Sequence, residues 1–166
     1  MYTIVNEYLK VTVNSTGAQM TTIVGAAGNN ILWSGDPRHW GDHAPNLFPF
    51  IGRVNGGGFS FQGKEYKHPM HGFARDSEFA LVEKAAGVLR MRLISCEKSR
   101  AIYPFDFQLD IVFSLNNNAL SVAYELINNS DTVMPFSLGA HPGFACNWTE
   151  GDSIADYYLQ FDHVED

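Results

Sequence analysis

Residues 105–126 read FDFQLDIVFSLNNNALSVAYEL, and this stretch decides the fold class. Apolar side chains occupy every second position of its first half, at Phe105, Phe107, Leu109, Ile111, Phe113 and Leu115. A period of two predicts a strand with one buried face. Three asparagines at 116–118 then favour a turn, because asparagine tolerates positive φ and hydrogen-bonds its own backbone. The alternation resumes over 120–126, so the whole stretch predicts a β-hairpin.

The same alternation recurs on the N-terminal side of this hairpin. Residues 9–13 and 89–93 alternate between apolar and other residues, and a further strand is expected around 79–83. Residues 59–61 and Tyr66 flank Gly63 as a second hairpin. No window of 12 or more residues shows the 3.6-residue apolar stripe of a helix. The sequence therefore predicts an all-β, antiparallel β-sandwich, with a long irregular stretch from about residue 36 to residue 58.

The chain length of 166 residues fits a single β-sandwich domain over 1–166. Residues 157–161 (Tyr-Tyr-Leu-Gln-Phe) have the pattern of a strand that begins near the end, which would leave an unpaired sheet edge. All 11 lysines and arginines lie within 1–100, whereas residues 101–166 contain ten acidic residues. We therefore expect 1–166 to be the N-terminal part of a larger catalytic domain.

Composition excludes several classes of protein. An apolar fraction of 45% and an aromatic fraction of 13% exclude a disordered chain. No apolar run approaches the roughly 18 residues of a membrane span, and residues 1–10 lack the features of a signal peptide. Two cysteines do not make a disulfide framework and favour a cytoplasmic location. The acidic second part offers no cationic face, so a nucleic-acid partner is not expected.

Three segments bring ionisable side chains next to glycine or proline at apparent strand ends. Arg53 follows the apolar run 47–51, where its guanidinium could donate several hydrogen bonds. His71 and Arg75 lie in the dense polar segment 68–76. His141 stands next to a proline, directly after a predicted strand, where a histidine is suited to general acid catalysis. The residues alone leave two alternatives open, an arginine paired with a loop carboxylate and a structural histidine.

Metal and nucleotide chemistry have little support in the sequence. His39 and His43, and likewise His68 and His71, have spacings that could ligate zinc on a helix. Both pairs lie in segments broken by proline and glycine, so no metal is expected. The chain has no G-x-S-x-G elbow, no P-loop and no G-x-G-x-x-G after a strand.

Taken in order, the three segments resemble the aldose 1-epimerase family, and most closely its bacterial branch of galactose mutarotase-like proteins. Residues 47–53 (LFPFIGR) are similar to the arginine segment of the family, and residues 71–75 (HGFAR) to its His-Gly segment. Residues 139–144 (GAHPGF) resemble its His-Pro segment, the most specific of the three. Residues 33–37 and 103–105 also fit that branch, so the resemblance covers essentially the whole chain.

The resemblance implies a β-supersandwich and an enzyme that interconverts the α and β anomers of a hexose or hexose 6-phosphate. It implies that His141 is the general acid for the ring oxygen, that His71 and Arg53 hold the sugar, and that Arg75 helps to hold a phosphate. It implies no cofactor. The sequence departs from the family in reading Gly52-Arg53 instead of Asn-Arg. No segment matches the catalytic glutamate of the family's C-terminal half, so the 166 residues alone are expected to be nearly inactive.

Two other readings remain open at this stage. The first is a non-catalytic carbohydrate-binding module that uses the same sandwich and its aromatic side chains to stack on sugars. The second is an interaction or regulatory protein that has kept the fold and lost the activity. A histidine fixed beside a proline favours the enzyme, because a protein that only binds sugar needs no general acid.

Overall fold

The computed structural model describes residues 1–146, 148, 150–161 and 163. In chain order its strands are β1 (Tyr2–Val5), β2 (Lys10–Val13), β3 (Met20–Val24), β4 (Asn46–Leu47), β5 (Gly58–Phe61), β6 (Lys64–Lys67), β7 (Ala80–Ala85), β8 (Val88–Ile94), β9 (Phe107–Asn116), β10 (Ala119–Asn128) and β11 (Gly139–Ala140). One short helix, α1 (Glu97–Arg100), and three 3₁₀ turns, Asn55–Gly57, Ala74–Asp76 and Ile154–Asp156, complete the elements. The all-β, antiparallel prediction is confirmed.

The hairpin predicted from residues 105–126 is present as β9 and β10. The two strands pair antiparallel over their full length, from Ala119 opposite Asn116 to Asn128 opposite Phe107. Asn117 in the turn has a φ of 51°, a conformation that asparagine adopts more readily than most residues. The alternating apolar side chains of β9 (Phe107, Leu109, Ile111 and Phe113) are buried, as the period of two predicts.

Two antiparallel sheets enclose the core. One has the order β10-β9-β8-β7 and the other β1-β2-β3. Val11 and Ile4 from the smaller sheet share one apolar cluster with Met91 and Ile111 from the larger sheet. Burial of such side chains is the main stabilising contribution to the fold. The sequence pattern predicted β2, β7 and β8 but not the short strands β1 and β3.

The polar face of β9 is less exposed than alternation suggests. Asp110 belongs to that face, yet it retains only 1% of its accessible surface. Arg92 donates to both of its carboxylate oxygens at 2.7 Å, and Arg90 donates to Oδ2 at 2.9 Å. The two guanidinium groups lower the pKa of Asp110, with Arg92 the larger influence. A buried carboxylate is tolerated here because its oxygens are paired with cations.

The irregular stretch predicted from about residue 36 to residue 58 is confirmed, with β4 and one 3₁₀ turn as its regular parts. Phe48, at its centre, is fully buried and packs against Tyr103 and Phe107, with ring centroids 5.9 and 5.0 Å away. Edge-to-face contacts of this kind add to the stabilisation that comes from burial. The irregular stretch is therefore anchored in the core at its midpoint.

The strand predicted over residues 157–161 is wrong. These residues pair with no strand in the described part of the chain, and Tyr158, Leu159 and Phe161 are 83%, 76% and 62% exposed. Tyr157 instead packs against Trp148, with ring centroids 5.0 Å apart. A period of two is not sufficient for a strand, because ladder hydrogen bonds also need a neighbouring strand with free partners. Among the described residues, no helix is long and apolar enough to cross a membrane.

Candidate active site

The position of His141 follows from the pairing of two very short strands. The two residues of β11 pair antiparallel with the two residues of β4. The pairing continues past the strand, because the His141 N–H donates to the Pro45 carbonyl at 3.0 Å and the Gly143 N–H to the His43 carbonyl at 2.8 Å. His141 is exposed and follows the strand directly, as the sequence predicts.

Asn46 ties this pair of strands to the core. Its buried side-chain amide donates to the carbonyls of Gly17 and Ala18 at 2.9 Å each. Its Oδ1 accepts a hydrogen bond of 2.6 Å from the Tyr124 hydroxyl of β10. Burial raises the pKa of Tyr124 to about 12, so the hydroxyl remains a donor. The backbone beside His141 is thus held by hydrogen bonds that reach two other parts of the sandwich.

His71 has a strained backbone with two specific hydrogen bonds. Its φ is 68°, in the left-handed region that side chains other than glycine seldom adopt. The His71 N–H donates to the Gly52 carbonyl at 2.7 Å, and the Gly52 N–H donates to His71 Nδ1 at 3.1 Å. A neutral imidazole with Nδ1 accepting carries its proton on Nε2. Backbone strain of this kind is concentrated at functional sites.

The residue after His71 has to be glycine. A Cβ at Gly72 would lie 2.1 Å from the carbonyl oxygen of the fully buried Phe48, and the φ of Gly72 is 76°. Because both the space and the conformation exclude a side chain, Gly72 brings the His71 loop directly against the irregular stretch. Phe73 and Ala74 then both donate their N–H groups to the same carbonyl.

Folding brings His71 and His141 together although 70 positions separate them in the sequence. Their ring centroids are 5.8 Å apart with the planes at 71°. The Trp40 ring lies 5.2 Å from the His141 ring. His71 is partly buried and His141 is exposed, so a ligand can reach both imidazoles from solvent.

Trp40 is held in place by the segment that carries His141. The Trp33 indole N–H donates to the Trp40 carbonyl at 2.7 Å. A Cβ at Gly143 would lie 2.7 Å from the Trp40 ring and 2.9 Å from the Trp33 Cβ. The Trp40 indole and the Trp33 Cβ therefore pack closely over Gly143, and Trp40 forms one wall beside His141.

The backbone just before Arg53 lies beside His71, but no hydrogen bond fixes the Arg53 side chain against His71 or His141. Its neighbour Gly52 makes both of the hydrogen bonds to His71 described above. The Arg53 side chain is exposed, and it makes no hydrogen bond or ion pair with any residue in the described part of the chain. Its guanidinium therefore keeps its donors for a ligand.

Arg75 differs from Arg53 in having a partner. Its Nη2 donates to Asp42 Oδ2, and the two side chains are 26% and 23% exposed. Arg75 lies on the 3₁₀ turn Ala74–Asp76, and Asp42 lies two residues after Trp40. The sequence did not indicate this pair, since 33 positions separate the two residues and no pattern links them.

Two of the other histidines, His68 and His43, are held by contacts outside the site. His68 is buried among Phe50, Phe73 and Tyr103, and burial lowers its pKa. Its Nε2 has no hydrogen-bond partner among the residues that the structure describes. His43 uses Nδ1 to bond the Trp33 carbonyl at 2.9 Å. Within the described residues, no group of three or more potential ligands could hold a metal ion.

A pocket of about 590 Å³ lies away from the histidine pair. It is lined by parts of β8, the start of α1 and the residues around 76–80, and none of the four predicted site residues contributes to it. The histidine site is formed instead by the loop of His71, the irregular stretch and the end of β11, with His141 exposed to solvent. Such a site can bind hydroxyl groups and transfer a proton from an imidazole.

Comparisons with known proteins identify a family model and relatives that match most of this chain. The family model described as aldose 1-epimerase matches residues 1–165. Protein LacX, plasmid, from Lactococcus lactis subsp. lactis is 32% identical, with 96% of this chain and 56% of that protein covered. A galactose mutarotase related enzyme from Lactobacillus acidophilus has 34% identity and a TM-score of 0.89, covering 92% of this chain and 51% of that chain.

A second solved structure gives the same picture. A galactose mutarotase-like protein from Lactobacillus casei has 34% identity and a TM-score of 0.84, with 87% of this chain and 49% of that chain covered. The chain thus spans about half the length of the relatives that it matches.

Proposed function

The chain belongs to the aldose 1-epimerase family, and we propose from this that it carries the proton-donating and sugar-holding part of an aldose 1-epimerase site. The reaction is the interconversion of the α and β anomers of a hexose or hexose phosphate, without metal or cofactor. The observation that carries the proposal is the approach of the His71 and His141 rings to 5.8 Å, with His141 exposed to solvent. Both cysteines are free thiols, which agrees with a reaction in the cytoplasm.

The chemistry accounts for the residue types. Anomer exchange requires the hemiacetal to open, C1 to rotate and the ring to close on its other face. Opening removes a proton from the C1 hydroxyl and delivers one to the ring oxygen. In this proposal the exposed His141 imidazole delivers the proton, as the catalytic acid.

His71 and Arg53 hold the sugar in the same proposal. With Nδ1 occupied by the Gly52 N–H, His71 presents Nε2–H as a donor to a sugar oxygen. Arg53 supplies the donors of its planar guanidinium to hydroxyl groups. The strained backbone of His71 supports this role, because the surrounding hydrogen bonds hold the ring in one orientation before a ligand arrives. No residue is proposed as the base.

Sugar binding without turnover is the second candidate. The observation in its favour is the Trp40 ring beside His141, since an indole is a common surface for stacking on a sugar. Under this alternative Trp40 and Arg53 would still matter for affinity. The proton donor would then have no role, so replacement of His141 separates the two candidates.

The test measures anomer exchange and binding on the same samples. Exchange of α- and β-glucose and galactose is followed by polarimetry and by NMR magnetisation transfer, with spontaneous mutarotation subtracted. The samples are the 166-residue chain and a chimera completed with the remaining half of the Lactobacillus acidophilus relative. Sugar binding is measured by NMR titration.

The variants are His141→Asn, Arg53→Gln and, as a matched control, His39→Asn. We expect His141→Asn to lower the exchange rate of the chimera by about 100-fold or more with little change in affinity. Arg53→Gln should weaken binding, and the exposed His39 should change neither quantity. Binding with no protein-dependent exchange in either sample would favour the binding module, and absence of both would refute the proposal.

A further inference from the structure

The Asp42–Arg75 ion pair is preformed. The backbone of the Arg75 turn is fixed, because the Gly17 N–H donates to the Ser77 carbonyl at 2.7 Å and a Cβ at Gly17 would lie 2.5 Å from the Arg75 carbonyl oxygen. The Arg75 guanidinium reaches from this turn to the Asp42 carboxylate. About a quarter of each side chain remains exposed, so a ligand can contact both.

The pair joins the two segments that hold the histidines. Asp42 lies between Trp40, whose ring is 5.2 Å from His141, and His43, whose carbonyl accepts from the Gly143 N–H. Arg75 follows His71 by four residues, within the turn that Phe48 anchors. We therefore expect this ion pair to border the site of a sugar that is bound across the two histidines.

The charge of the pair decides which ligands it suits. A carboxylate that already neutralises the guanidinium opposes the approach of a phosphate dianion, which would have to displace Asp42 or lie beside it. A neutral sugar meets no such opposition. One of its hydroxyls can donate to a carboxylate oxygen while a neighbouring hydroxyl accepts from a free guanidinium N–H. The pair thus matches a vicinal diol better than a phosphate.

We infer that Asp42 is a specificity-determining residue that directs the site to neutral aldoses and against sugar phosphates. This inference rests on the proposed function, and it assigns Arg75 to hydroxyl binding instead of phosphate binding. Asp76, exposed on the same turn, adds a further negative charge beside Arg75. Arg53 is the arginine without a carboxylate partner in the described part of the chain.

The experiment compares affinities for glucose, glucose 6-phosphate and inorganic phosphate by NMR titration of the 166-residue chain. The variant Asp42→Asn removes the charge and keeps the side-chain shape. Asp36→Asn is the matched control, because it changes the net charge equally at another arginine, the exposed Arg38. Dispersed amide spectra establish that each variant is folded.

We expect the unmodified chain to bind glucose at least as tightly as glucose 6-phosphate. Asp42→Asn should raise the affinity for glucose 6-phosphate relative to glucose by about tenfold, near the lower end of the coupling of close charge pairs. Asp36→Asn should leave this ratio unchanged. Adding Arg75→Gln to the Asp42→Asn variant should abolish the gain, and inorganic phosphate alone should follow the same pattern.

Two results would overturn the inference while leaving the proposed function intact. These are a preference of the unmodified chain for glucose 6-phosphate, and a ratio that Asp42→Asn changes by less than about twofold while both sugars still bind. If no sugar binds to the chain or to any variant, the titrations are repeated on the chimera with the same substitutions; absence of binding there as well makes the inference fail together with the proposed function.

Discussion

Adding a single methyl group at Gly143 tests the wall of the candidate site. In the Gly143→Ala variant the new Cβ would lie 2.7 Å from the Trp40 ring and 2.9 Å from the Trp33 Cβ, closer than carbon atoms approach in folded proteins. The backbone has little room to retreat, because the Gly143 N–H donates to His43 and its carbonyl accepts from Trp33. The displacement therefore falls on Trp40, the indole beside His141.

The expected change in the free energy of unfolding of Gly143→Ala follows from two opposing contributions. Overpacking a filled site costs about 1–3 kcal/mol. Replacing glycine by alanine also restricts the unfolded chain, which offsets about 0.4–1 kcal/mol. The net loss is about 1–2 kcal/mol, and for a chain of this size each kcal/mol lowers the unfolding midpoint by about 2–4 °C. We expect the midpoint to fall by about 2–8 °C.

The matched control is Gly41→Ala, next to Trp40, where an added Cβ meets no heavy atom within 4 Å. Its midpoint should stay equal or rise slightly. Thermal unfolding is followed by circular dichroism, tryptophan emission reports the displacement of Trp40, and NMR titration with glucose reports the site. Only Gly143→Ala should shift the emission and weaken binding. Equal midpoints and equal emission for the two variants would refute the close packing of Trp40 and Trp33 over Gly143.

Three further predictions concern stability. Asp110→Asn removes the carboxylate that accepts three hydrogen bonds from arginines, and it should lower the free energy of unfolding by about 2–3 kcal/mol in chemical denaturation. The control is Asp106→Asn, which breaks the more exposed pair with Arg100. A loss for Asp110→Asn no larger than that of the control would contradict the prediction. Burial lowers the pKa of His68 below its ordinary 6.5, so the unfolded chain gains the proton first and stability falls as pH drops from 7 to 5. A carboxylate whose pKa is lowered, such as Asp110, changes charge below this pH range. The loss of stability between pH 7 and 5 should therefore be smaller in His68→Leu. An unchanged pH profile would exclude His68 as its source. Tyr124→Phe leaves Asn46 Oδ1 without its partner and should cost about 1–3 kcal/mol by the same measurement, whereas a neutral result would mean that water replaces the hydroxyl.

The sequence predicted those parts of the fold whose determinants are local. The β9–β10 hairpin is specified by one alternating run, a turn of asparagines and a second run, all within about twenty positions. The segment 157–161 has the pattern expected of a strand but pairs with no strand among the described residues, and pairing is not a property of the segment itself. Asp110 has the position of a solvent-facing residue, and only the arginines on the neighbouring strand explain its burial.

The candidate site also has features that the sequence predicted and features that it did not. His71 and His141 were predicted because each lies in a recognisable segment, and their side chains meet in the structure. The left-handed conformation of His71 was not predicted, since it depends on hydrogen bonds to Gly52, 19 positions away. The partner of Arg75 was not predicted either, because an ion pair between distant loops leaves no periodic signal in either segment.

The backbone conformation of His71 also limits which amino acids can replace this histidine without destabilising the fold. At a φ of 68°, glycine and asparagine fit with little strain, whereas alanine, leucine and the β-branched residues each add to it. In a library randomised at this codon, selection for folded protein alone would therefore enrich glycine and asparagine. Histidine would become the most frequent residue only under selection that also acts on a function of its imidazole. The tolerance profile of this single position thus separates the demands of folding from those of chemistry.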